Sequence, residues 1–236
     1  MKKFIISEDI FEIFPNIQIG TIVCEGIDNN YKDDEKEYAE LIRNAEKKAI
    51  EFLPNLDFAS NQVIKVWRDA FQKFKTKKGA RCSIEALMKR IEKENPVGTI
   101  NPLVDIYNAI SLSYAFPIGG EDLDKIEGDI KLTKAVGDES FLILGSEESS
   151  SPYPEEIIYK DEEGAICRCL NWREAVRTML TVETKNAFMC LESIDVMRQD
   201  EFLKALEDLK VQIENRLGAK CKIQVANIDN RELELI

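Results

Sequence analysis

The amino-acid sequence predicts an α+β fold, in which mixed or antiparallel sheets pack with helices. Apolar residues recur at helical spacing from Glu35 to Leu53 and in several later segments, which predicts helices. Short apolar segments separated by glycine, proline and acidic residues follow Gly128 and predict strands. We expect a single domain over residues 1–236, with a pocket in the middle of the chain and a sheet that the two ends complete.

The composition excludes a large class of enzyme mechanisms. The chain of 236 residues contains no histidine, so Ser-His-Asp and Cys-His catalysis and histidine-ligated metals are ruled out. Proton transfer must use carboxylates, Lys, Tyr, Cys, water or the substrate. The six cysteines lack the spacing of metal ligands, and we expect them to be reduced thiols. We therefore expect neither a metal nor a cofactor.

The charge and hydropathy patterns limit the partners and the compartment. A formal net charge of −12 argues against a protein that coats nucleic acid, and we expect no DNA partner. No apolar run approaches the length of a membrane span, so we expect no membrane association. The first apolar run is too short for a signal peptide, which favours a cytoplasmic protein.

The first third of the chain predicts strands and then helices. Phe11, Ile13 and the apolar residues within 17–23 predict one or two strands. Helices are expected over about 35–53 and 61–74, and Ser83 is expected to cap a third helix.

A locally basic segment lies between the second and third of these helices. Its cations are the candidate RNA contacts of an otherwise acidic protein. The alternative is a set of lysines that only solvates an exposed surface. The candidate RNA-binding residues are Lys73, Lys75, Lys77, Lys78 and Arg81.

The helix predicted from Pro102 to about Ala115 is apolar on almost every side, so it belongs in the interior. Asn101 is expected to cap it. Asn101, Asp105 and Asn108 share one stripe, and each needs a hydrogen-bond partner or a ligand. They are candidate substrate contacts, or residues that only hold neighbouring strands.

A turn is predicted at Gly119 and Gly120, after the buried helix has ended before Pro117. Glycines there allow backbone N–H groups to face a ligand. Gly119 and Gly120 are therefore candidate catalytic residues, together with Glu121. The alternative is a tight turn without a ligand.

The second half of the chain predicts short strands and one long helix. The segment from Gly145 to Glu163 is rich in Ser, Pro and acids, and it predicts an exposed connection with a strand near Ile157–Tyr159. The other predicted strands lie at 130–135, 140–144, 165–170, 187–193 and 221–228. The long helix is predicted at 200–217 and should end at Gly218.

A polar motif follows the strand predicted at 165–170. Asn171, Trp172, Arg173 and Glu174 place an amide, an indole, a guanidinium and a carboxylate at a strand end, which suits a planar or anionic group. Alternatively, Trp172 anchors packing and Arg173 pairs with Glu174 at the surface. The motif is followed by further candidate substrate contacts, Thr184 and Asn186.

The order of these motifs resembles a known family. The segments Ile100–Asn108 and Asp122–Ala135, with Pro117 between them, are similar to the editing domain of the phenylalanyl-tRNA synthetase beta subunit, called B3/B4. Free-standing copies of that domain look still closer, with Arg81 and Ser83 before the helix and a Cys-Arg-x-x-Asn-Trp-Arg-Glu segment after it. The resemblance covers about residues 60–195.

The resemblance implies the same α+β fold class and a tRNA partner. The family domain hydrolyses the ester that joins a wrong amino acid, tyrosine, to the tRNA for phenylalanine. The resemblance therefore implies a pocket near the end of the buried helix, which the aminoacylated 3′ end of the tRNA enters. This sequence departs from the synthetase pattern Gln-Pro-x-His-Ala-Phe-Asp by carrying Gly119 in place of the histidine.

Three functions remain open on the sequence alone. The first is a hydrolase that clears mischarged tRNA in trans, with a water polarised by Glu121 or Glu174 and donors at Gly119 and Gly120. Arg173 would bind a carboxylate, a phosphate or a developing oxyanion. The second is a non-catalytic module that binds tRNA or an amino-acid-like small molecule. The third is a protein whose pocket polar groups are purely structural.

Overall fold

The helices and strands are taken from a computed structural model, which describes residues 2–235. Helices α1 to α6 of this part span Glu8–Ile13, Glu35–Ala49, Gln62–Phe71, Ser83–Glu92, Pro102–Tyr114 and Gln199–Leu217. Strands β1 to β10 span Lys3–Ile6, Gln18–Glu25, Ile118–Asp122, Ile130–Lys134, Ile157–Lys160, Ala165–Arg168, Arg173–Glu174, Asn186–Ser193, Lys220–Ala226 and Glu232–Glu234. Short 3₁₀ turns lie at Ile50–Phe52, Phe58–Ser60, Leu123–Lys125 and Val196–Arg198.

The strands form two sheets, as an α+β fold requires. The first has the order β10-β1-β4-β5-β6-β7 and is mixed, because β1 and β4 are parallel and the other neighbours are antiparallel. The second has the order β3-β8-β2-β9 and is antiparallel throughout. The prediction of mixed and antiparallel sheets packed with helices is confirmed.

The second sheet is buried on both faces. On one face Phe188 contacts Phe4 of the first sheet, with ring centroids 5.4 Å apart. On the other face Met189 packs against the apolar side of α5 and α6. Gly20 in β2 is required for this packing, because a Cβ atom there would lie 2.3 Å from Leu206 Cδ1 of α6. The sheets and helices therefore hold β8 rigidly from both sides.

Helix α5 follows the sequence prediction closely. The Asn101 side chain caps it by accepting a hydrogen bond from the Val104 N–H at 3.1 Å, and Pro102 is the first helical residue. Ala115 ends it with a left-handed backbone, φ 51°. The helix is buried along most of its length, so it serves as a support for the strand that follows.

Helix periodicity also predicted α2, α3, α4 and α6, and α6 ends at Gly218 with φ 68°. The Ser83 cap is wrong, because Cys82 stands at the cap position and the Ser83 hydroxyl has no hydrogen-bond partner. Phe11 and Ile13 lie in α1 and not in a strand. Within residues 2–235 no helix combines the length and apolar character needed to cross a membrane.

Three further expectations about the second half of the chain are corrected. Gly119 and Gly120 lie in β3, because this segment pairs with β8 and continues the sheet instead of turning. Residues 140–144 form no strand beyond one bridge at Ser140. The acidic connection is not exposed throughout, since Glu156 and Asp161 are buried beside β5.

Candidate functional site

A cavity of about 700 Å³ opens where one end of the first sheet meets the second sheet. A hydrogen bond between the two sheets lies in its wall, where the Tyr159 hydroxyl of the first sheet donates to Glu192 Oε1 of the second at 2.6 Å. Strand residues, the start of α4, the middle of α5 and a loop at residues 143–144 contribute to the wall. The cavity is therefore enclosed by several rigid elements.

Alternate residues of the paired strands β3 and β8 form one wall. Gly119 lies opposite Cys190 and Glu121 opposite Phe188, and in a strand every second residue faces the same side. Glu192 continues the row on β8. The intervening residues point away, since a Cβ atom at Gly120 would lie 2.6 Å from Met189 Sδ on the far face. Strand alternation thus places Glu121 and Glu192 in one cavity.

The facing wall belongs to the first sheet. Tyr159 lies opposite Cys167, and Cys167 lies opposite Glu174. These three side chains therefore share one face across β5, β6 and β7. Gly119 leaves the space in front of Glu174 open, because a Cβ atom at Gly119 would lie 3.3 Å from Glu174 Oε1.

Three glutamates line this cavity, and Glu192 is the one whose two carboxylate oxygens both accept a side-chain hydrogen bond. It is 1% exposed. The Tyr159 hydroxyl donates to one oxygen and the Asn171 side-chain amide to the other. Burial nevertheless raises the pKa of Glu192 to about 7, because removal from water disfavours the charged form and the two donors offset this only in part.

Glu174 is half-buried and open to the cavity. Burial raises the pKa of this carboxyl to about 7, although the Gly120 N–H favours the charged form. A carboxyl with this pKa exists in both protonation states near neutral pH, and this is the property required of a general base.

Glu121 is 5% exposed, and its Oε2 atom has no hydrogen-bond partner. Burial and, after it, the charge of Glu174 raise the pKa of Glu121 well above its usual range. The Thr178 hydroxyl and the Arg177 charge oppose this rise only in part, because removal from water disfavours the charged form.

The rim of the cavity is cationic and aromatic. The Arg173 guanidinium lies over the Trp172 ring at 5.5 Å. Arg81 also lines the cavity and is exposed. Within the described part of the chain neither guanidinium pairs with a carboxylate, so the predicted surface pair between Arg173 and Glu174 does not form. The two arginines are free to bind an anionic group at the entrance.

Comparison with known proteins identifies the family. A family model described as the B3/4 domain matches residues 66–214, more than half of the chain. The chain belongs to the B3/4 domain family. The resemblance that the sequence motifs carry is thereby confirmed.

Two longer chains are similar to parts of this B3/4 domain. The phenylalanine–tRNA ligase beta subunit of Mycoplasmoides gallisepticum is 37% identical over 75 residues, which are 32% of this chain and 9% of that protein. The crystal structure of an N-terminal fragment of the phenylalanyl-tRNA synthetase beta subunit from Pyrococcus horikoshii matches with a TM-score of 0.47 and 15% identity. That match covers 92% of this chain and 49% of the fragment.

The B3/4 domain brings most of the predicted site residues together. The segment Gly119–Glu121 and the motif Asn171–Glu174 line the same cavity, although about fifty residues separate them in the chain. Asn171 links the two sides by accepting from the Ser83 N–H at 3.1 Å and donating to Glu192. The predicted residues that line the cavity are Arg81, Asn108, Gly119, Gly120, Glu121, Asn171, Trp172, Arg173 and Glu174.

Four predicted substrate contacts lie outside the cavity wall and hold the fold. Asn101 caps α5 and accepts from Asn29 at 3.0 Å. Asp105 accepts from the Tyr31 hydroxyl and the Ile100 N–H. Thr184 donates to Asp122 at 2.9 Å, and Asn186 donates to Asp124. Their partners are protein groups, so only Asn108 of the polar stripe reaches the cavity.

The basic segment leads to the cavity entrance. Lys73 and Lys75 lie over the rings of Phe14 and Tyr153, and Lys77 donates to the Ser150 hydroxyl at 3.2 Å. Lys78 has no role in the cavity wall. Arg81, the last residue of the segment, is the one candidate RNA contact that lines the cavity among the described residues.

The sequence reasoning missed Glu192, Tyr159, Cys167 and Cys190 as cavity residues. Period-two spacing in β8 was the signal for Glu192, because it places Phe188, Cys190 and Glu192 on one face. Burial raises the pKa of both thiols well above the usual range, so they are poor nucleophiles. Within residues 2–235 no cluster of three Cys, Asp or Glu side chains is arranged to hold a metal ion.

Proposed function

We propose that this B3/4 domain binds the aminoacylated 3′ end of a tRNA and hydrolyses the ester of a wrongly attached amino acid. The name of the Mycoplasmoides gallisepticum relative, a phenylalanine–tRNA ligase beta subunit, supports a tRNA ligand. The observation that carries the reaction is Glu174, a half-buried carboxyl with a pKa raised to about 7 on the wall of the cavity. Acting in trans, the domain would remove translation errors left by a synthetase.

The rim supports the orientation of the tRNA end. Arg81 and Arg173 are exposed and unpaired among the described residues, and guanidinium groups bind phosphates through paired hydrogen bonds. Trp172 offers an aromatic face on which a base can stack. The lysines that precede Arg81 continue the positive surface along the backbone of the tRNA.

Glu174 supplies the chemistry. Its carboxylate takes a proton from a water molecule while the water oxygen bonds to the ester carbon. The bond from this carbon to the ribose oxygen then breaks, and the ribose oxygen receives the proton from Glu174. The products are the free amino acid and a tRNA with a free ribose hydroxyl. A positioned base of this kind contributes about 10²–10⁴-fold to a rate.

A non-catalytic binding module is the second candidate, and β3 provides the observation in its favour. The Glu192 N–H donates to the Pro117 carbonyl. Because paired residues alternate along an antiparallel ladder, Gly119 forms the next hydrogen-bonded pair with Cys190. Its N–H is then used within the sheet, which removes one of the two backbone donors predicted for the oxyanion. The Gly120 N–H faces Glu174.

The first test is a deacylation assay on a panel of correctly charged and mischarged tRNAs, with substoichiometric protein. Multiple turnovers on a mischarged tRNA are expected, and the rate should rise with pH through about 7, because only ionised Glu174 accepts the proton. Glu174→Gln should lower the rate at least about 100-fold. Glu183→Gln, at an exposed position outside the cavity, is the matched control.

The same assay separates the two candidates. Retention of labelled tRNA without loss of the ester, weakened by Arg173→Ala, would support the binding module. Absence of both tRNA binding and deacylation at low salt would contradict both.

A further inference from the structure

Glu121 is the least satisfied carboxyl of the cavity. Glu192 has two side-chain donors, and Glu174 faces the Gly120 N–H. Glu121 Oε2 has no hydrogen-bond partner at normal distance within residues 2–235, although the side chain is only 5% exposed; the neutral Thr178 hydroxyl acts on this carboxyl and is likewise buried without a partner. A buried acceptor without a donor is costly, so such a group indicates a ligand that supplies the donor.

The protein provides no positive charge for this part of the cavity. Of the lining residues that the structure describes, the cations are Arg81, Arg90 and Arg173, and all three are exposed. Arg90 donates to the Pro96 carbonyl and Arg173 lies over Trp172. Arg177, near Glu121, is paired with Asp161 at 2.7 Å. A charged donor at Glu121 must therefore come from outside the protein.

The remaining wall suits a ligand with an apolar stem. Ile166, Leu170 and Phe188 line the cavity and are buried. Glu174 is half-buried, whereas Glu121 lies deeper. If Glu174 acts on the ester, as the proposed function requires, the amino-acid side chain extends past it toward Glu121. Methylene groups along the apolar wall would then lead to a donor at the carboxyl.

We infer that Glu121 accepts a hydrogen bond from a cationic amino-acid side chain, so that the amino acid bound in this cavity carries an aliphatic ammonium or guanidinium group. The inference rests on the proposed function for the direction of the side chain. The recognition itself is a binding event that requires no tRNA. Glu121 then determines specificity, and Glu174 remains the base.

The test compares the binding of two free ligands that differ only in the terminal ammonium group, L-lysinamide and L-norleucinamide, by isothermal titration and NMR. The wild-type protein should bind L-lysinamide at least 10-fold more tightly. Glu121→Gln should reduce this preference to within 2-fold, because the amide is similar in shape but cannot ionise. Glu25→Gln, at an exposed position outside the cavity, should keep the preference.

Equal or tighter binding of L-norleucinamide, or no binding of either ligand, would overturn the inference. So would tighter binding of L-tyrosinamide than of L-lysinamide, since tyrosine is a neutral donor. The wild-type comparison decides the question even if Glu121→Gln does not fold. Absence of tRNA deacylation would contradict the proposed function and leave the ligand preference intact, so the two failures are distinguishable.

Discussion

Two buried groups of carboxyls in this protein are in opposite electrostatic states. Beside β5 and β6, Glu156 and Arg168 are 0% and 1% exposed and make two hydrogen bonds of 2.7 and 2.8 Å. Burial alone would raise the pKa of Glu156, but Arg168 and the Tyr153 N–H outweigh it and the pKa is lowered. In the cavity, Glu121, Glu174 and Glu192 have raised pKa values.

The difference shows that burial does not decide the charge state of a carboxyl in this protein. Asp161 repeats the paired arrangement, because Arg177 donates to it and its pKa is lowered. The chain thus supplies guanidinium partners to Glu156 and Asp161, two carboxyls that serve the fold. Within residues 2–235 no guanidinium pairs with Glu121, Glu174 or Glu192, and strongly raised pKa values in a cavity are typical of functional sites.

The largest expected change in stability comes from breaking the buried ion pair between Glu156 and Arg168. Arg168→Met should lower the free energy of unfolding by about 3–5 kcal/mol, because Glu156 remains buried without its partner. Urea denaturation at neutral pH measures this change. Arg231→Met, which removes an exposed pair with Glu8, should change the stability by about 0–1 kcal/mol. Similar losses of stability in the two variants would show that the buried Glu156–Arg168 pair matters no more to folding than an exposed pair.

Replacing Glu121 in the cavity should have a smaller effect of the opposite sign, an increase in the free energy of unfolding. Below pH 4.5 the Glu121 carboxyl is protonated in both the folded and the unfolded protein, so its ionisation does not affect the free energy of unfolding there. As the pH rises, the carboxyl ionises in the unfolded chain first, which destabilises the folded protein. Glu121→Gln should therefore have a higher free energy of unfolding than the wild type at pH 8.

The advantage of Glu121→Gln should shrink as the pH falls toward 4.5. Urea denaturation at pH 5 and pH 8 gives the comparison, with Glu183→Gln as an exposed control. A stability difference that does not change with pH would show that Glu121 ionises normally in the folded protein.

The sequence predicted the elements whose signals are local. Helical periodicity located α2 and α6, and the Asn101 cap and Pro102 located the start of α5. Strand β3 was missed, because two consecutive glycines indicate a turn when the partner strand is unknown. Pairing with β8 and the close approach of Met189 to Gly120 explain why a strand forms there.

The candidate site was predicted in part for the same reason. Trp172 and Arg173 are polar or aromatic residues in a motif, and the motif alone indicated them. Glu192 was missed, because alternation along β8 shows which residues share a face but not that this face opens to a cavity. The lack of a partner at Glu121 is a property of the folded surroundings, which no local sequence pattern contains.

The most direct test of this contrast is an NMR titration of the glutamate side-chain carboxyls in ¹³C-labelled protein. We expect Glu174 and Glu192 to titrate near pH 7 and Glu121 to titrate well above 4.5, whereas Glu156 should titrate below 4.5. If the cavity glutamates titrate near pH 4.5 like exposed ones, the cavity carboxyls are not set apart from the structural ones, and the proposed role of Glu174 as a base loses its support.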